Sequence, residues 1–116
     1  GYAFPFEGPG FWGPISGVVA VDPAGERILG ISFVRHQETP GLGGRISEGW
    51  FRDQFRGKPL EVRDGRVLEF VFRPPTGERE VEAITGATQT STRLARFLNA
   101  FLARLPGRAV FRGGRG

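Results

Sequence analysis

An α+β fold, with antiparallel β-hairpins forming a small sheet packed with two α-helices, is predicted for this chain by three observations. Two strand-length apolar runs flank the turn Asp22-Pro23-Ala24-Gly25. Asp64-Gly65, a strong two-residue hairpin signal, separates another pair of such runs. Leu94, Phe97, Leu98, Phe101, Leu102 and Leu105 then fall at i, i+3, i+4, i+7, i+8 and i+11, which is one apolar stripe along a helix.

Taken in order, residues 1–14 are rich in Gly, Pro and aromatics and predict no regular element. Ile15–Val21 and Arg27–Arg35 predict two strands of one hairpin. Gln37–Gly44 reads as a loop, and Ser47–Phe55 sets Trp50, Phe51 and Phe55 at helical spacing, with Gly57 as the stop. These three aromatics are expected in the core. Leu60–Val62 and Arg66–Phe72 predict the second hairpin, Pro74-Pro75-Thr76-Gly77 a turn, and Glu78–Ala83 a short strand. The long helix follows Thr85–Thr90 and stops at Pro106-Gly107, leaving 107–116 as a frayed basic tail. Residues 1–116 read as a single domain without internal repeat.

Composition narrows the chemistry. With 39% apolar residues and eleven Phe, the chain has material for a real core. It has no Cys and one His, which excludes a disulfide framework, a thiolate metal site and a multi-His metal cluster. Any demanding chemistry falls to an organic cofactor. The net charge of +4 is carried by fifteen Arg and one Lys. Most of these Arg alternate with Asp and Glu, and only Arg104, Arg108, Arg112 and Arg115 gather near the C-terminus, so nucleic acid is not the expected partner. A first residue of Gly and no Met suggest a processed or excised domain whose leader or anchor lies elsewhere.

Two loops have unusual composition. In Glu38-Thr39-Pro40-Gly41-Leu42-Gly43, Pro fixes the entry and the Gly residues let backbone amides approach a ligand. By itself this segment fits an ordinary strand-to-helix connection better than a ligand loop. In Thr85-Gly86-Ala87-Thr88-Gln89-Thr90-Ser91-Thr92, five hydroxyls in eight residues exceed what one N-cap requires. The residues alone are equally consistent with phosphate bound at the helix start and with capping by Thr90 or Ser91. His36, at a strand end, reads as structural.

Four motifs in order carry a resemblance that spans most of the chain: Gly10-Phe11-Trp12-Gly13-Pro14-Ile15-Ser16-Gly17, His36-Gln37-Glu38-Thr39-Pro40-Gly41-Leu42-Gly43, Trp50 with Gln54-Phe55-Arg56-Gly57-Lys58, and Ile84-Thr85-Gly86-Ala87-Thr88-Gln89-Thr90-Ser91. Together they resemble the FMN-binding domain shared by the G-type subunit of Rnf complexes and the C-type subunit of sodium-pumping NADH:quinone reductases. The resemblance implies FMN joined by a phosphoester to a motif Thr, with a flavin transferase as partner and FAD as donor. It implies Thr90 as acceptor and Thr88 as the competitor, with Thr85, Gly86 and Ala87 around them. Glu38, Thr39, Gly41 and Leu42 are implied to lie against the isoalloxazine ring, with Trp12 as a wall and Lys58 or Arg56 bringing positive charge. One departure is Glu82, where the family signal has Asp three residues before the Ser/Thr.

The function implied is electron transfer within a membrane-associated redox complex, as a relay rather than a stand-alone enzyme. Other subunits of that complex are the implied partners, and the extracytoplasmic face of a bacterial-type membrane is the implied location. The alternative is a flavin-free or non-covalent FMN-binding module of a membrane-linked reductase or sensor.

Overall fold

A computed structural model describes residues 1–41 and 43–107 of the chain. Leu42 and the expected basic tail from residue 108 onward lie outside the described residues. The fold is α+β: a three-stranded antiparallel sheet in the order β1-β2-β3, a separate two-stranded pair β4-β5, and two α-helices.

The first strand corrects the sequence expectation. β1 (Tyr2–Pro9) pairs with β2 (Pro14–Val21) from Tyr2↔Val21 to Pro9↔Pro14, where the composition predicted irregular chain. An edge strand needs only half of its N–H groups for pairing, which is why Pro5 and Pro9 are tolerated there. Alternate residues of β1 face the long helix: Phe6 is buried, Phe4 is partly buried, and a Cβ on Gly8 would meet the ring of Phe97. The β2–β3 hairpin, with β3 at Ile28–Arg35, forms as the turn chemistry requires, Gly25 taking φ +74°.

The single helix expected over 47–55 is instead a 3-10 helix at Gly43–Ser47 followed by the short α1 (Gly49–Asp53). Phe51 and Phe55 are fully buried, as the spacing predicts. Trp50 is not a core residue: its indole N–H donates to Glu48 at 2.7 Å and the Arg45 guanidinium lies over its ring at 5.4 Å. A five-residue helix has too little surface to bury three aromatics at once.

At Asp64-Gly65 the tight turn forms, with φ of 52° and 76°, but only one bridge, Arg63↔Arg66, follows it. β4 (Glu69–Val71) pairs in parallel with β5 (Glu80–Glu82), not in an antiparallel ladder. Side chains take the place of a partner strand. Arg79 donates to the carbonyls of Arg66 and Val67, while Asn99 accepts from the amides of Val67 and Leu68.

The link from β4 to β5 is braced by Glu80, which pairs with Arg73 at 2.8 Å and accepts from the Thr76 amide at 2.9 Å. The Arg73 hydrogen bond, with those from Thr76 and Gly77, depresses the Glu80 carboxyl to about 2. A depressed folded pKa stabilises the fold above the ordinary value of 4.5, and that stabilisation is lost as pH falls toward 2. Urea unfolding followed from pH 6 to pH 2.5 should therefore lose part of its acid dependence in Glu80→Gln.

α2 (Thr88–Arg104) lies against β1 and seals the core with Leu94, Leu98 and Leu102 at zero exposure. Phe6 meets Phe33 edge-on at 5.9 Å and leans on Phe97 and Phe101. The chain leaves α2 through a 3-10 turn at Leu105–Gly107, where Pro106 cannot continue the helix.

Candidate functional site

Three loops converge at one end of the sheet: the β1–β2 turn, the segment after β3, and the start of α2. A hydrogen bond from the Gly10 amide to the Gly13 carbonyl (2.8 Å) closes the β1–β2 turn and leaves Phe11 and Trp12 at its tip. Both rings are exposed, Trp12 at 63%, and they contact each other at 4.9 Å between centroids. They have no place in the core and present a paired aromatic surface to solvent.

Glu38 ties the loops together. Its carboxylate is buried and accepts from the amides of Phe11 (2.9 Å) and Trp12 (3.0 Å) and from the hydroxyl of Thr90 (2.7 Å). Burial pushes its carboxyl up, but the bonds from Thr90, Trp12 and Phe11, with His36 nearby, outweigh that and hold it below the ordinary value. His36 is structural: Nδ1 accepts from the Glu38 amide at 3.2 Å and Nε2 meets the Ser47 hydroxyl at 3.1 Å.

α2 begins at Thr88, earlier than the sequence suggested. Its cap position is Ala87 and no side chain caps it, so neither Thr90 nor Ser91 fills that role. Thr90 instead serves Glu38, and Ser91 accepts from the Ile84 amide at 3.2 Å. The first-turn N–H groups are left to solvent or a ligand. Gly86, at φ +83°, makes the left-handed bend that turns the chain into the helix, a conformation costly for any side chain.

Between these parts lies a cleft of about 400 Å³ lined by Phe11, Trp12, Thr39, Gly86, Thr88 and Thr90, with Gly43, Ala87 and Gln89 completing it. Of the residues singled out in the sequence, Trp12, Thr39, Gly86, Ala87, Thr88 and Thr90 thus come together, with Glu38 behind them. Thr85 falls outside, in a neighbouring cavity of about 280 Å³ beside Trp50 and Glu82. Gly41 is exposed at φ +79°, and Leu42 is outside the described residues.

Lys58 is not brought to the cleft. Its carbonyl accepts from the Ile28 amide at the start of β3, whereas Glu38 follows the far end of that strand. At ~3.3 Å per residue the two ends of β3 stand roughly 20 Å apart. Arg56, exposed and paired with Asp53, belongs to the Lys58 end.

The basic group that does approach is Arg93, whose guanidinium sits 5.7 Å from the centre of the Phe11 ring. Neither Phe11 nor Arg93 stood out in the sequence as a site residue. The signal for Phe11 was its place beside Trp12; that for Arg93 was its position one turn after Thr90. Gly43 is required by packing, because a Cβ there would run into the Thr90 hydroxyl and the Glu38 side chain. Gly43→Ala should therefore cost about 1–3 kcal/mol in urea unfolding, through displacement of a packed pair.

A helix start with free amides suits a phosphate, and paired exposed aromatics suit a flat ring system. An α+β domain presenting both in one cleft is of the nucleotide-cofactor-carrying class. More particularly, the chain belongs to the FMN-binding domain family, whose model matches residues 10–103, and its cofactor is FMN. It is 38% identical over 89 residues to the C-type subunit of the Na⁺-translocating NADH-quinone reductase of Pasteurella multocida, a match covering 75% of this chain and 34% of that protein. It is also 38% identical over 90 residues to the G-type subunit of the proton-translocating ferredoxin:NAD⁺ oxidoreductase complex of Clostridium ljungdahlii, covering 78% and 45%. The crystal structure of NqrC from Shewanella oneidensis superposes with a TM-score of 0.80 at 28% identity, over 97% of this chain and 54% of that one. The chain thus spans about a third to a half of the length of these relatives. Among the described residues no helix is long and apolar enough to cross a membrane.

Proposed function

We propose that this domain carries FMN covalently, as a phosphoester on Thr88, and relays electrons within a membrane redox complex on its extracytoplasmic face. The observation that carries the reading is the contrast between the two hydroxyls. Thr90 is 3% exposed and already donates its proton to Glu38, whereas Thr88 is exposed in the cleft at the uncapped first position of α2. This reverses the order in which the motif alone ranks them. A hydroxyl committed to a buried carboxylate is a poor target for a second enzyme, and an exposed one beside free helix amides is a good one.

The reaction would be a phosphoryl transfer: the Thr88 oxygen would bond to the FMN phosphorus of FAD as its hydroxyl proton passes to a base of the transferase, the pyrophosphate bond would break, and AMP would leave. A flavin transferase supplies the catalysis, and this chain supplies the acceptor. Bound FMN provides the one- and two-electron chemistry. The Phe11-Trp12 turn would wall the ring, Glu38 fixes that turn to α2, and Arg93, beside the Phe11 ring, would bring positive charge to that wall. The names of the relatives, subunits of ion-translocating oxidoreductases, support a place beside other subunits of such a complex.

Intact mass and visible spectra of the chain, co-expressed with and without a flavin transferase, test the reading. A yellow product heavier by one FMN phosphoester is expected for the wild type and for Thr90→Ser, and only with the transferase. Thr88→Ala should stay at its unmodified mass. Colour without added mass would favour the non-covalent module, with Glu82 as the altered signal residue, and a labelled Thr88→Ala would return the acceptor role to Thr90.

A further inference from the structure

Away from the cleft, the outer side of the β4-β5 pair carries a strand position that no described strand fills. In a parallel ladder, alternate residues bond to the same neighbour. The Glu69 amide donates to the Arg79 carbonyl and the Ala83 amide to the Val71 carbonyl, so Glu69 and Val71 face β5. The N–H and C=O of Phe70 therefore point to the opposite edge, as do those of Leu68.

At Leu68 that edge is already occupied, by a side chain. Asn99 accepts from the Leu68 amide at 2.8 Å and donates to the Leu68 carbonyl at 2.9 Å, which is the pair of bonds a neighbouring strand would make. Past Asn99 no described residue bonds to this edge. Phe70 and Phe72 border a groove of about 590 Å³ between β4 and α2, whose helix side is made by Thr92, Ala95 and Arg96. Phe72 is 53% exposed.

We propose that this edge is a docking groove for an extended segment of a partner protein, alternating apolar and acidic residues, which adds as one more strand beside β4. Backbone bonds to Phe70 supply affinity, and alternate side chains enter the groove. Charge sets the class of partner. Arg66 and Arg96 line the groove and form no ion pair among the described residues, against the single carboxylate of Glu69. A second copy of this chain would bring the same two arginines against them, so an acidic segment is favoured over self-pairing. The groove runs toward Ser91, about one helical turn from Thr88, so an occupant would end beside the cleft.

The test is a titration of the ¹⁵N-labelled, flavin-free chain with a capped peptide of about eight residues alternating Val with Glu and Thr. Flavin loading does not enter it, so failure here and failure of the flavin reading are separate events. Amide shifts and exchange protection are expected at Phe70 and Phe72, with shifts at Thr92, Ala95 and Arg96. Binding at least tenfold weaker is expected for Arg96→Glu, for Arg66→Glu, and for a peptide N-methylated at alternate residues. Unperturbed Phe70 and Phe72 amides would overturn the proposal, as would equal affinity of the N-methylated peptide or of the two charge-reversed variants. Sedimentation of the chain alone as a dimer that protects the same amides would assign the groove to a second copy instead.

Discussion

Glu38→Ala should lower the stability of the domain by about 3–5 kcal/mol at pH 7, measured by urea unfolding. Three donors lose their acceptor at once: the amides of Phe11 and Trp12 and the hydroxyl of Thr90. Each buried donor left unpaired costs about 1–3 kcal/mol, more when the lost acceptor is charged, and partial access of water to the turn reduces the sum. Exchange of the Phe11 and Trp12 amides should accelerate well beyond the global effect, because those two bond directly to the deleted carboxylate. Glu38→Gln retains acceptor capacity and should recover more than half of the loss. The pH dependence has a definite sign. Since the folded carboxyl is held below 4.5, the part of its contribution that depends on charge is complete above that value and declines as the solution is acidified below it, so the gap between wild type and Glu38→Ala should narrow with falling pH. A loss under 1 kcal/mol at pH 7 would show that the three loops are held together by something else.

Asn99→Leu should cost about 3–4 kcal/mol, although it replaces a polar residue by an apolar one of nearly the same size. Asn99 is 7% exposed and spends its amide on the backbone of Val67 and Leu68, both of which are buried. Leucine fills the same volume, so no cavity term enters, and the whole cost is that of two amides and one carbonyl left without partners. Arg96→Ala, on the same helix but exposed and without an ion pair among the described residues, should stay within about 0.5 kcal/mol. Comparable losses for the two variants would remove the bracketing role assigned to Asn99.

The parts of the molecule that follow from local periodicity were legible in the sequence. The α2 stripe, the β2–β3 hairpin and the burial of Phe51 and Phe55 all follow from spacing and turn chemistry. What escaped are features fixed by distant partners. β1 is made a strand by β2 and by the helix it covers, against a composition that argues for a loop. The parallel β4-β5 pair depends on Asn99 and Arg79, which lie 31 and 13 residues from the backbone groups they bond. Trp50, at helical spacing with two core aromatics, turns outward because the helix beneath it lasts five residues.

The site divides in the same way. Its motifs marked the two loops that meet, but a motif lists hydroxyls without saying which is spoken for. Only the bond from Thr90 to Glu38, across 52 residues, separates the buried hydroxyl from the free one. Lys58 illustrates the converse: a motif neighbour in sequence lies at the far end of β3, because a strand of eight residues intervenes.

The bare start of α2 links maturation to local stability. A helix of seventeen residues without a capping side chain holds its first turn through Thr90 and Ser91 alone, one turn ahead of the core leucines. A phosphate ester on Thr88 would provide the missing cap from outside the protein's own alphabet, closing the turn and raising the free energy of opening. Loading would then be legible from outside the cleft, as slower exchange of the Thr88 to Ser91 amides in the esterified chain than in the bare one.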